Sequence, residues 1–193
     1  TLIDEGKMSF PEAAHLVQRT GSYLQERGQY AQAEKLMTQA LMISQQTLGP
    51  DHPDLAPLLT NLAFLADYYH RDLTQAEQYY QRAVAICEHA LGPTHPDVAT
   101  SLNKLAVFYY YQGKERYSLV ESLLKRVLAI REQTLEPNHP AKARVLNDLG
   151  RLYYSQGKYQ QAEEFCQRAL TICQQAPEPK HLLRATSLHN LAN

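Results

Sequence analysis

Three histidines stand in near-identical settings: Leu48-Gly49-Pro50-Asp51-His52-Pro53, Leu91-Gly92-Pro93-Thr94-His95-Pro96 and Leu135-Glu136-Pro137-Asn138-His139-Pro140, with a remnant at Pro179-Lys180-His181. Recurrent imidazoles could hold a metal ion or move protons near neutral pH. Three cysteines, Cys87, Cys166 and Cys173, could supply thiolates, and tyrosines cluster at 68–69, 79–80, 109–111 and 153–154. Spacing argues against the reactive readings. Each histidine opens a different helix, so the three lie one repeat apart and are expected to act as helix caps and turn contacts. Cys166 and Cys173 share one helix face seven residues apart, and Cys87 repeats the position of Cys173, a pattern that suits core packing. No glycine-rich phosphate loop, nucleophile elbow or paired carboxylates in a cleft can be read along the chain. The expectation is therefore a protein that is not an enzyme, with no cofactor and no bound metal.

Composition narrows the class further. The chain of 193 residues is 44% apolar and 20% charged, with a formal net charge of −1. That balance lacks the basic excess that grips nucleic acid. Its cysteine usage suits a reducing compartment, and a cytoplasmic location is expected. No run approaches the ~20 apolar residues of a membrane span. The chain starts at Thr1 and stops at Asn193 inside an apparent helix, which reads as a segment of a longer protein.

What positions these residues is a repeat. Gly21, Ala63, Ala106, Gly150 and Ala192 occupy one register position, and Ala33, Ala76, Val120 and Ala162 a second. From the second set to the next histidine is always 19 residues, and from each histidine to the next small residue always 11. Only the interval from first to second small residue varies, at 12, 13, 14 and 12, so all length variation sits in one turn of a 42-residue period. Fixed spacing of small residues follows from close approach of two helix axes. Insertions survive only where the backbone is solvated.

Each repeat reads as helix A, a turn, then helix B. The His-Pro pair opens helix A, since proline suits the first helical position, and Asp54 and Asp97 follow where acidic residues favour the helix dipole. Gly28, Gly113 and Gly157 suit the left-handed residue that ends helix A. Arg71 stands there in the second repeat, so that end should differ, with the extra residue absorbing the difference. Leu102, Leu105, Ala106 and Tyr109 on helix A, and Ala162, Cys166, Ala169, Leu170 and Cys173 on helix B, fall at helical spacing. No repeat can bury such a stripe alone, so neighbours must stack. The fold class expected is an all-α solenoid of antiparallel helix pairs, one domain over 1–193. Its repeats lie at about 11–50, 51–93, 94–137 and 138–178, with a partial fifth helix at 179–193. Leu188 and Leu191 would leave an apolar edge on that helix, which predicts further repeats or self-association.

The small-residue spacing (Ala106, Val120 and Val127; Gly150, Ala162 and Ala169) resembles the tetratricopeptide repeat. The long period, the His-Pro linker, Leu-Asn-x-Leu-Ala from Leu102 and Arg-Ala-Leu-x-Ile from Arg168 are similar to the repeats of kinesin light chains. They also resemble the carboxy-terminal arrays of bacterial STAND-type (NB-ARC) signalling NTPases, as does the opening Phe10-Pro11-Glu12-Ala13-Ala14. The resemblance implies a right-handed superhelix whose concave wall, built mainly from helix A, binds an extended partner peptide or protein segment. The alternative it implies is a ligand-sensing arm regulating an NTPase domain outside this segment.

Helix A residues that escape the packing stripe are then expected to line the wall. They include Asn61 and Phe64 in the second repeat, Asn103, Lys104 and Tyr110 in the third, and Arg144, Asn147, Arg151 and Tyr154 in the fourth. Asparagine amides can donate to and accept from a peptide backbone, and tyrosines supply contact area at small entropic cost. Lys104, Arg144 and Arg151 make the stretch basic, so an acidic, aromatic-containing partner segment is expected, with neither nucleic acid nor membrane as partner. A terminal-carboxylate clamp of the chaperone-binding kind would use the positions of His15 and Arg19, Pro57 and Asn61, Thr100 and Lys104. Only fragments of that pattern are present.

Overall fold

The computed structural model describes residues 10–175 and Ser187, without the side chains of residues 10–15 and of Gln18. The expected fifth-helix residues His181, Leu188, Leu191 and Ala192, and the side chain of His15, lie outside the described residues. Eight α-helices run in order, with no strand among the described residues. They are α1 (Phe10–Glu26), α2 (Tyr30–Leu48), α3 (Leu55–Leu65), α4 (Leu73–Leu91), α5 (Pro96–Gln112), α6 (Tyr117–Thr134), α7 (Pro140–Ser155) and α8 (Tyr159–Gln175). The chain divides into two compact halves, residues 1–93 and 94–193. In the first, α1 packs on α2 and α3 on α4, with α2 against α3; in the second, α5 packs on α6 and α7 on α8, with α6 against α7.

Each half is held by the stripes that the periodicity marks. Leu55, Leu59, Ala63, Ala76, Ala83 and Cys87 are buried in the first half; Val98, Leu102, Ala106, Val120, Val127, Leu146, Leu149, Ala162, Cys166, Ala169 and Cys173 are buried in the second. Burying one large aliphatic side chain contributes about 1.5–3 kcal/mol. All three cysteines are buried and outside any disulfide, and burial pushes the thiols of Cys166 and Cys173 above their ordinary value. Close approach of helix axes is visible at Gly150, where an added Cβ would sit 2.5 Å from Cys166 Sγ and 3.3 Å from the Ala162 carbonyl oxygen.

The histidines are caps. Nδ1 of His95 accepts the Asp97 backbone N–H at 3.2 Å, and Nδ1 of His139 accepts that of Ala141 at 3.1 Å, each followed by proline at the first helical position. The exchangeable proton therefore resides on Nε2. His52 Nδ1 takes the Asp54 N–H at 3.3 Å, but α3 begins only at Leu55. The Leu55 amide bonds to the His52 carbonyl three residues back, as Val98 does to His95 and Lys142 to His139, and the Ala56 amide bonds to the Pro53 carbonyl.

The variable turn absorbs its extra residues in two different ways. In the second repeat α3 passes into a π-helical turn, Ala66–His70, which ends on Arg71 in the left-handed region at φ 59° and ψ 27°. A π-turn spends one residue more per turn than an α-turn, which accommodates the single insertion without shifting α4. In the third repeat the two extra residues are taken up in a three-residue 3₁₀ turn, Lys114–Arg116, after Gly113 at φ 120°. The linker at Glu136 also departs from its siblings. Gly49 and Gly92 hold φ of 97° and 86° after α2 and α4. Glu136 replaces that glycine, and α6 stops one register position earlier on an extended Leu135.

Candidate functional site

In the second half the helix A residues converge around one carboxylate. Asp148, on α7, is largely buried, and burial pushes its carboxyl above the usual value against the opposing pull of Arg151, Arg131 and Arg144 and a hydrogen bond from Asn103. Arg151 Nη2 donates to Asp148 Oδ1 at 3.2 Å. The same guanidinium lies 4.6 Å from the Tyr110 ring centroid and 5.8 Å from that of Tyr111. Tyr110 is fixed in turn: its hydroxyl pairs with Ser155 Oγ at 2.8 Å, and its ring stacks on Tyr117 with centroids 5.7 Å apart. Arg151 thus sits between a carboxylate and aromatic faces, a cation–π arrangement that orients it.

The expected wall residues divide by what covers them. Lys104, Arg144 and Tyr154 are exposed on α5 and α7. Asn103, Tyr110 and Arg151 are half-buried within the cluster around Asp148. Asn147 departs from the expected open position: it is only 4% exposed, and its Oδ1 accepts from Ser187 Oγ at 3.0 Å. Ser187, far along the chain, meets it there, and the periodicity of α7 alone carries no sign of that contact. Asn61 and Phe64 belong to the first half. Asn61 is half-buried, with its carbonyl accepting from Gln25 Nε2 at 3.3 Å. Phe64 is exposed and stacks on Tyr68, with centroids 5.4 Å apart and planes at 8°.

Arg131 lies outside the helix A pattern, because it belongs to helix B, whose stripe packs the core. It reaches from the last turn of α6 and donates from Nη1 to the Ala141 carbonyl at 2.8 Å. Burial pushes its guanidinium below the ordinary value, as does the neighbouring Arg144 charge, while Asp148 acts the other way. Three guanidiniums acting on one carboxylate leave positive charge in excess there. The signal available in the sequence was the run of basic residues Arg131 and Arg144 flanking the His139-Pro140 linker.

A second polar cluster joins α6 to α7. Tyr153 donates its hydroxyl to Glu121 Oε1 at 2.8 Å, and Lys125 Nζ lies 2.6 Å from the same oxygen. The Lys125 hydrogen bond holds the Glu121 carboxyl below its ordinary value, aided by Tyr153. No group of three or more histidine, cysteine or acidic side chains is placed to hold a metal ion among the described residues. None of their helices is long and apolar enough to cross a membrane.

Helix pairs with small residues at the crossing, stacked on their neighbours, define a class of repeat scaffold. The chain belongs to the tetratricopeptide repeat family, whose model matches residues 12–71, 64–116, 111–165 and 152–193. Among solved structures it is similar to the nearly identical TPR-like repeats of a proposed kinesin light chain from Podosopora anserina, at 27% identity and a TM-score of 0.77 over 96% of this chain and 86% of that one. It also shares its fold with BtubC (BKLC) from P. vanneervenii, at 24% identity and a TM-score of 0.74 over 90% of this chain and 70% of that one. The same holds for pilF of Pseudomonas aeruginosa, at 22% identity and a TM-score of 0.66 over 95% of this chain and 77% of that one. No curated protein matches the sequence significantly. The family and its structural neighbours support a protein-interaction module.

Proposed function

We propose that the α5–α7 face of the second half receives an acidic, aromatic-containing segment of a partner protein. The observation that carries this reading is the excess of cationic over anionic groups around Asp148, with Arg144 and Lys104 exposed beside it. Arg144 is the natural contact for a partner carboxylate, because Arg151 is already engaged by Asp148 and Tyr110. Tyr154, exposed and set edge-on to Tyr159 at 5.4 Å, offers an aromatic surface further along α7, about 15 Å from Arg144. A charge-assisted hydrogen bond contributes roughly 1.5–3 kcal/mol.

The test is selection from a random peptide library displayed on phage, against the chain and against an Arg144→Glu variant. The wild-type chain should enrich peptides carrying both Asp or Glu and an aromatic residue. The variant should bind those peptides at least about tenfold more weakly while keeping its melting temperature. Enrichment of peptides without acidic character, or equal affinity for the variant, would overturn the reading.

A further inference from the structure

A cleft of about 310 Å³ opens elsewhere in the second half, between α6 and α8 and over the first turn of α7. Its floor and walls are apolar, from Leu128, Leu146, Pro137 and Ile172, and three charged side chains enter it: Lys142, Glu132 and Arg168. Lys142 is the anomaly. It lies three residues after His139, the register position held by Leu55 after His52 and by Val98 after His95, both completely buried. Lys142 is itself only 7% exposed, yet its side chain makes no hydrogen bond or ion pair with any described residue.

Lysine is almost never buried to that degree unless paired. Glu132 pairs with Arg168 instead, at 3.4 Å. Arg168 is further held by the Phe165 ring, 5.7 Å from its guanidinium carbon. The carbonyl beside Lys142, Ala141 O, is met by Arg131 Nη1 at 2.8 Å. The cleft therefore contains an apolar bed, one neutralised pair and one ammonium without a counter-ion.

From this we infer a second binding site, for a single carboxylate carried on a short apolar body, with the ammonium of Lys142 taking the carboxylate and the Leu128–Leu146–Ile172 surface taking the body. This site goes beyond the acidic-segment reading, and it uses none of the residues named for that face. One carboxylate balances one ammonium. The volume suits a single side chain or small acid rather than a helix.

Two sources carry that chemistry, a free acid and the terminus of a partner chain ending in an apolar residue. The test titrates the chain by NMR with 4-phenylbutyrate and with the tripeptide acetyl-Gly-Gly-Leu as free acid, each beside its uncharged amide. Either acid should shift the amide resonances of residues 128, 142, 146 and 172 saturably, and bind about tenfold or more tightly than its amide. The tighter acid identifies the source. Lys142→Leu restores the residue type of the sibling repeats, so it should fold, raise the melting temperature and abolish acid binding. Equal binding of acid and amide, absence of saturable shifts at millimolar acid, or retained binding in a folded Lys142→Leu protein would each overturn the inference.

Discussion

Gly150 shows what a single methyl group costs in this fold. It is Gly in the repeat where α7 meets the Cys166 thiol, and Ala63 and Ala106 hold the same register in the second and third repeats. A Cβ there would collide with Cys166 Sγ at 2.5 Å and press on the Ala162 carbonyl, which as backbone cannot swing aside. Gly150→Ala should therefore destabilise the chain by about 1–3 kcal/mol, the usual cost of overpacking. Gly21→Ala should cost clearly less, because its obstruction is the end of the flexible Met37 side chain. Urea denaturation of the two variants checks the ordering. The histidines belong to the same scale: their regular recurrence, which first suggests ligands, is the recurrence of a cap.

At the scale of the element, the α6–α7 contact is fastened by a titrating group. Glu121 accepts from Tyr153 and pairs with Lys125, and its carboxyl is depressed below its ordinary value. A carboxyl whose folded value is lowered contributes stability that is present above the unfolded value and lost as pH falls through the folded one. Glu121→Gln should thus be less stable than wild type at about pH 6, with the difference shrinking as pH falls to about 3. Thermal melts at a series of pH values measure this, and a difference that does not narrow would contradict it. The repeat period marks where the second and third repeats take extra residues, but not how. A π-turn ending on Arg71 and a 3₁₀ turn after Gly113 are both solutions to one constraint, that α4 and α6 keep their packing register.

At the scale of the whole molecule, charge and its placement diverge. The chain carries a formal net charge of −1, while the face around Asp148 is locally cationic. Recognition of an acidic segment there should depend on local field rather than net charge, and the field of exposed groups is screened over about 8–10 Å near physiological salt. Affinity for a selected acidic peptide, read by fluorescence anisotropy, should fall several-fold between about 50 and 300 mM salt. A salt-independent affinity would point to apolar contacts as the main source of binding. The likeness to kinesin light chain-type repeats concerns the scaffold, which many functions share. The partner is decided by the side chains that the scaffold leaves exposed.

Sequence alone determined the helix pairs, their caps, their core stripes and the family, because each is a local or periodic property. A stripe at helical spacing must be buried, a small residue must mark a crossing, and His-Pro opens α5 and α7 and stands just ahead of α3. It also selected Lys104, Arg144, Arg151 and Tyr110 as residues of interest, since their positions escape the stripe. Only the tertiary structure decided which of them are available. Arg151 is spent on Asp148 and Tyr110, Asn147 is met by Ser187, and Arg131 arrives from a helix B that periodicity reserves for packing. Lys142 makes the same point from the other direction, as a core position in register that holds an ammonium in the fold. Availability depends on which surfaces other segments cover, and that is set by contacts across repeats rather than by the order of residues within one.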